Sequence, residues 1–437
     1  MNDLGDLALW IALLLAVWGA ALSFAGGALT RDAFVASGAR GLQGAALFVA
    51  IASAALWWAL LGSDFSLRYV ATFTNLGLPV PWKLSAFWAG RPGTRLLYSL
   101  ALSASATLAI RAGFDGGRVR RPWVVTILSA ALAALLGTFV ATLNPFDRLA
   151  SLVEDGRGLD PRLQNATMAI EPALRALGYA ASAVAATLAL VVFVTRRIAG
   201  EWRRSLRAWL ALGWCMLGAS TLLALRSGYA EPGSGGFWLW TPPGVAGIGT
   251  SVDALPVIAV LAAIVVAAAV IGSGTRRYPL VAATILLAAG LAGALARTER
   301  VATLRDGESQ RAKDPFGREW TFTSQGASRI ERATHFATAV AVMAARGSAR
   351  PRFVTTEVRE FSDARDRAAF APLTTLGLLS TTLEDVSVML VTASEGRSTV
   401  RITFVPLAAW LWIGGVCVLI GGGLAIVSGT QPRERAG

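Results

Sequence analysis

Two stretches of the sequence hold side chains suited to chemistry. In GSGGFWLWTPPG, residues 233 to 244, Phe237, Trp238 and Trp240 place three aromatic rings within four positions. The preceding glycines let a flat partner approach the backbone, and the rings offer an apolar surface that suits a porphyrin or a lipid better than water. Tryptophan also gathers at membrane interfaces, and Trp10, Trp123 and Trp412 read that way. The second stretch is MAIEPALRALGY, where Glu171 is an ionisable group at the start of a long apolar run. A carboxylate beside a proline there serves either as a functional group or as a helix N-terminus near the positive dipole end. His335 is the chain's one histidine. Alone it cannot build a metal site or a bis-histidine iron site, so it reads as a surface or structural residue and no protein metal site is expected. Cys215 and Cys417 form no C-x-x-C pair and read as small packing residues. GIGTSV at Gly247 has no strand ahead of it and is not a dinucleotide fingerprint.

The elements that position these groups are membrane helices. Of 437 residues 54% are hydrophobic and 15% charged, with mean hydropathy +0.56, which places the chain in a bilayer. Runs able to cross it fall at about 7–29, 41–62, 95–112, 123–143, 171–194, 207–226, 251–271, 279–296 and 405–427, about nine helices. Asp3 and Asp6 precede the first run in place of a basic segment, so it is expected to be a retained span and not a signal peptide.

The net charge of +13 does not point to nucleic acid, because Arg111, Arg118, Arg120 and Arg121, then Arg196, Arg197, Arg203, Arg204 and Arg207, then Arg276 and Arg277 cluster in short turns between spans. That is the cytoplasmic signature of membrane topology. The amino terminus is then outside, and the tail with Arg433 and Arg435 is cytoplasmic.

Three loops, 63–94, 144–170 and 227–250, fall on the outer face, as does a domain at 297–404 ahead of a last helix and tail at 405–437. The fold class expected is therefore an all-α polytopic bundle over 1–296 with a β-rich extracytoplasmic domain before the last helix. DVSVMLVTASEGRSTVRITF alternates apolar residues about a Ser-Glu-Gly-Arg-Ser turn and reads as a hairpin. REWTFTS and RPRFVTTEVREF supply further strands, while 327–346 is expected as a helix ahead of Gly347. There are no paired intramembrane charges and no inverted repeat in the sequence, features expected of a transporter.

The outer loops resemble, in order, those of the CcmF family, large membrane subunits of the cytochrome c maturation haem lyase. DFSLRYVATFTNLGLPVPWK matches the family pattern at Asp64, Tyr69, Asn75, Pro79 and Lys83 and continues to Trp88, Gly90 and Gly93. DGRGLDPRLQNATMAIEP matches at Asp155, Gly156, Gly158 and Gln164. The stretch at 233–244 is similar to the family's tryptophan-rich haem-presenting motif. The resemblance spans about 1–270 and 350–430, and it implies a chain several spans shorter than its relatives, the difference falling after the seventh span.

What the resemblance implies is a protein of the bacterial cytoplasmic membrane that handles or presents haem at the outer face for attachment to apocytochrome c. Its partners would be other maturation membrane subunits, a haem chaperone and apocytochrome c. It also marks departures. The family's histidine after Ile170, an axial ligand, is Glu171 here, and its tryptophan motif has Ser234, Thr241, Gly244 and Val245 at altered positions. Glu171 offers a hard oxygen and Met168 a thioether in place of imidazole. The competing reading is a non-catalytic scaffold that keeps the fold and no longer binds haem.

Overall fold

The computed structural model describes residues 2–112, 117–151, 153–195, 200–231, 296–332, 335–360, 372–394 and 396–427. They fall into two units: the described residues up to Ser220 with 423–427, and those from Thr221 to Gly422.

The first unit is helical. Its long helices are α1 (Asn2–Ala28), α2 (Asp32–Leu61), α5 (Arg91–Arg111), α6 (Gly117–Ala141), α7 (Ala166–Thr195) and α8 (Gly200–Ala230), the last running on into the second unit; the short α3 (Arg68–Phe73) and α4 (Val80–Ser85) lie between α2 and α5. Among the described residues, five helices are long and apolar enough to cross a membrane. The helix α5 is less apolar because it carries Arg91, Arg95 and Arg111, and to a smaller degree Thr94, Ser99, Ser103, Ser105 and Thr107. It packs against α2, α6 and α7, and two of its hydroxyls turn back on the helix, Ser99 donating to the Arg95 carbonyl at 3.0 Å and Ser103 to that of Leu100 at 3.1 Å. A hydroxyl satisfied in this way is tolerated inside a bundle. The close pairing of α1 with α2 rests on small residues, with Ala8, Ala12 and Ala16 on one side and Ala39, Ala45 and Ala52 on the other, all buried. Small side chains let backbones approach and gain dispersion contacts that lipid cannot match. The spans expected at 251–271 and 279–296 fall almost wholly outside the described residues, so the expected nine helices are not a count that these residues make.

The second unit is a β-sandwich. Its strands are β1 (Thr298–Arg305), β2 (Ser309–Lys313), β3 (Glu319–Arg332), β4 (His335–Arg346), β5 (Arg352–Glu360), β6 (Leu373–Thr375), β7 (Gly377–Ser380), β8 (Glu384–Ser394) and β9 (Arg397–Pro406), and α9 (Ala408–Val427) follows directly. One sheet has the order β1-β9-β8-β7 and the other β2-β3-β4-β5-β6, with antiparallel pairing throughout. Phe322, Val340, Val342 and Val354 from one sheet meet Val386, Val388, Val400, Ile402 and Phe404 from the other.

The expected hairpin is β8–β9, turning at Gly396 with φ +67°. The helix expected at 327–346 is not formed: this stretch supplies the end of β3 and the whole of β4. Its alanines and charges favour a helix locally, but Val340, Val342 and Ala344 alternate with period 2, and burying that face in the sandwich outweighs intrinsic propensity. His335 opens β4 opposite Arg332. Cys215 in α8 and Cys417 in α9 are free thiols, the first partly buried and the second exposed.

Candidate functional site

The loops at 63–94 and 144–170 fold into one platform at one end of the helical unit. The Asp64 carboxylate accepts from the Ser66 N–H at 3.2 Å and its hydroxyl at 2.6 Å, which turns the chain out of α2 and into α3. There the two loops meet edge to edge. Arg68 N–H donates to the Asp147 carbonyl at 2.8 Å, and Leu149 N–H to that of Ser66 at 3.0 Å. Further along, Arg157 N–H donates to the Ala71 carbonyl at 2.7 Å and Gly158 N–H to that of Thr74 at 3.2 Å. Asp155 closes this seam by accepting from the Leu76 N–H at 2.9 Å. At Gly156 a Cβ would stand 2.1 Å from the Thr74 carbonyl oxygen, and Gly158, at φ +88°, sits against the Asn75 side chain.

Tyr69 is the centre of the first loop. Its buried hydroxyl donates toward the carbonyls of Ala86 and Phe87, at 3.0 and 2.8 Å, and accepts from the Gly90 N–H at 3.1 Å. Burial raises its ionisation above the ordinary tyrosine value, opposed by the backbone donors of Gly90 and Gly93. Pro79 opens α4 with φ −58°, and Lys83, 9% exposed, donates to the Ser63 hydroxyl at 2.7 Å. Trp88 reaches the second loop, its indole N–H donating to the Met168 carbonyl at 2.8 Å. Gln164 closes its own turn on the Leu159 carbonyl at 2.9 Å. The motif residues from Asp64 to Gln164 thus all lie in or against this one platform, where most of their side chains or glycine backbones set the course of the two loops.

The remaining candidates separate. Phe237, Trp238 and Trp240 lie outside the described residues. Met168 sits in the first turn of α7, held by the Trp88 bond on its carbonyl and by Asn165, whose side-chain oxygen accepts from the Met168 N–H at 2.8 Å. That contact makes Asn165 the cap of α7, which begins five residues before the expected start, so the capping role proposed for Glu171 falls to Asn165.

Glu171 lies in the second turn and is buried, with its Oε1 accepting from Arg175 Nε at 2.8 Å and from the Ser220 hydroxyl of α8 at 2.5 Å. This is a paired charge within a span, which corrects the expectation of none. Tyr98 of α5 also hydrogen-bonds Arg175, and its ring stands edge-on to Tyr179 at 5.9 Å. Arg175 and Ser220 were not singled out from sequence, although the i,i+4 spacing of Glu171 and Arg175 was the signal available.

A haem iron needs strong axial donors with free lone pairs. Among the described residues this set does not provide them. Glu171 spends one oxygen on two donors, its side chain is 8% exposed, and His335 lies in the other unit.

No family model matches the chain. Curated relatives are cytochrome c-type biogenesis proteins. CcmF of Pseudomonas aeruginosa is 31% identical over 241 residues, covering 55% of this chain and 37% of that protein. CcmF of Escherichia coli K12 is 33% identical over 251 residues, with the same shares. The probable biogenesis protein NrfE of the same organism is 34% identical over 220 residues, 50% of this chain and 40% of the relative. The chain thus spans well under half the length of these relatives. Among solved structures, one described as the cytochrome c haem lyase CcmF superposes with a TM-score of 0.74 over 98% of both chains at 16% identity, a likeness of fold.

Proposed function

From the premise that the chain belongs to the CcmF family of cytochrome c-type biogenesis proteins, we propose that it handles haem at the outer face of the bacterial cytoplasmic membrane. In this reading Phe237, Trp238 and Trp240 supply an apolar face that covers the macrocycle, while another chain ligates the iron. Other maturation membrane subunits, a haem chaperone and apocytochrome c are the partners. The observation that carries this reading is the platform: most motif residues have a defined structural task there, and a chain that had lost all use of this face would not need so many single-residue constraints held together.

A second reading is favoured by Glu171. Its carboxylate is closed off by Arg175 and Ser220, so the position of the family's ligand is a helix-to-helix tie, as a scaffold that binds partner subunits without haem would have it. Absorbance of the purified protein separates the two. A Soret band lost on changing Trp238 and Trp240 together to alanine supports haem handling; a colourless protein that co-purifies with other maturation subunits supports the scaffold. Orientation is read separately. A reporter active only outside the cytoplasm is expected to be active after Gly347 and silent after Arg204, and the reverse pattern would remove the outer-face assignment.

A further inference from the structure

The end of the sandwich nearest α9 holds two buried carboxyl groups around one arginine. Asp314 lies in the β2–β3 turn of one sheet and Glu384 opens β8 of the other. Both side chains are fully buried, and Arg318 bonds each, its Nε to Asp314 at 2.7 Å and its Nη2 to Glu384 at 2.5 Å. Asp314 is well supplied with donors: the N–H groups of Phe316 and Arg318 at 2.9 Å each, and the indole N–H of Trp320 at 3.4 Å. Glu384 is not, since its second oxygen, Oε2, is buried with no partner. Its backbone is pinned, with N–H donating to the Thr381 hydroxyl at 3.1 Å and the carbonyl accepting from it at 2.6 Å. The carboxyl therefore cannot swing out to water without opening the strand.

A buried acceptor oxygen without a donor is costly, and two ionised carboxylates sharing one arginine leave a negative charge uncompensated. A proton on Glu384 removes both problems, because it neutralises the excess charge and lets one carboxyl donate to the other. We propose that Asp314, Arg318 and Glu384 form a proton-dependent clasp between the two sheets of the outer domain, closed when Glu384 carries a proton and loosened when it ionises.

The surroundings support this. Burial, then the charge of Asp314, pushes Glu384 up to about 7, with Arg318 opposing. Burial acts to raise Asp314 as well, but the backbone and guanidinium donors of Arg318 outweigh it and hold that group below its ordinary value. Other charged groups at this end are Lys313 and Glu319, paired across the β2–β3 turn, Arg346, over the Trp320 ring at 6.0 Å, and Asp385, which faces the Tyr229 hydroxyl at 2.8 Å and feels Arg226. Asp385 is raised by burial, against the Tyr229 bond, and takes no part in the clasp. The sign follows. Glu384 binds its proton more tightly folded than open, so its contribution is full below the unfolded value near 4.5 and is lost as pH rises to about 7. Strand β9 pairs with Glu384 at Pro406, immediately before α9, so the clasp sits where the domain is rooted to its helix.

The test is hydrogen–deuterium exchange on the full chain in detergent, corrected for intrinsic rates, following peptides over the β2–β3 turn and the start of β8. Linkage between 4.5 and about 7 gives roughly tenfold more opening at pH 8 than at pH 6. Glu384→Gln keeps a neutral donor and should abolish that difference while staying as protected as the unmodified protein at pH 6. A Glu384→Gln protein that keeps the tenfold change, or an unmodified protein that shows none, overturns the clasp. Should the variant not fold, infrared difference spectra of the unmodified protein decide, since loss of a protonated-carboxyl band between pH 6 and 8 is required and its absence refutes the proposal.

Discussion

The loop platform and the β-sandwich belong to one chain but are specified in different ways. In the platform, order comes from single polar or unsubstituted positions aimed at backbone: Tyr69 at three backbone groups, Asp155 at the Leu76 N–H, Trp88 at the Met168 carbonyl, Gly156 at the space beside Thr74. The domain is ordered by alternation, since Val386, Val388 and Leu390 and then Val400, Ile402 and Phe404 need only be apolar and of suitable size on one face. The difference teaches how a fold can be shared over nearly the whole chain at 16% identity: backbone-directed contacts fix residues, and sheet packing fixes only a pattern.

The sharpest way to break the contrast is at Gly93, the first glycine inside α5. A Cβ there would stand 1.7 Å from the Phe87 carbonyl oxygen and 2.3 Å from the Tyr69 hydroxyl. Neither can retreat without breaking the loop closure. Gly93→Ala should therefore cost at least the upper end of the roughly 1–3 kcal/mol typical of overpacking, or prevent the platform from forming. Protease sensitivity between residues 63 and 94 in detergent-solubilised protein measures it. Protection equal to that of the unmodified chain would mean that the loop accommodates a side chain and that the motif glycine is not a packing requirement.

The same distinction accounts for what was legible. The long apolar runs gave the described helices because length and composition alone decide whether a helix can cross a bilayer. The β8–β9 hairpin was legible because period 2 and a glycine turn coincide there. The stretch 327–346 was misread because its alanine-rich composition points to a helix and only partner strands decide otherwise. In the site, the motif residues marked the platform, but sequence gave no sign that their partners would be backbone groups of the same two loops. Glu171 stands out in the sequence but its ties do not: Ser220 lies 49 positions away on α8, and nothing in the linear order joins them. The start of α7 was set too late because Asn165, a cap, precedes residues that are not strongly apolar.

The smaller effect comes from removing one atom from each region. Tyr69→Phe deletes an oxygen that serves the Ala86 and Phe87 carbonyls and the Gly90 N–H. These groups are buried beneath the ring, so at least one is left unpaired, at about 1–3 kcal/mol. Ile402→Val deletes a methyl group from a side chain 1% exposed in the sandwich core, where neighbouring aliphatic groups can relax into the space, at about 0.5–1.5 kcal/mol. Denaturant unfolding of the full chain, followed by protease sensitivity between residues 63 and 94 for the platform and strand circular dichroism for the domain, ranks the two. The expected order is Tyr69→Phe above Ile402→Val. A reversed order would show that the platform draws its stability from the apolar contacts around Tyr69, such as the Phe73 ring at 4.8 Å. In that case the loops would follow the same tolerant rule as the sandwich, and the match of motif residues would need a cause outside folding, in what the outer face binds.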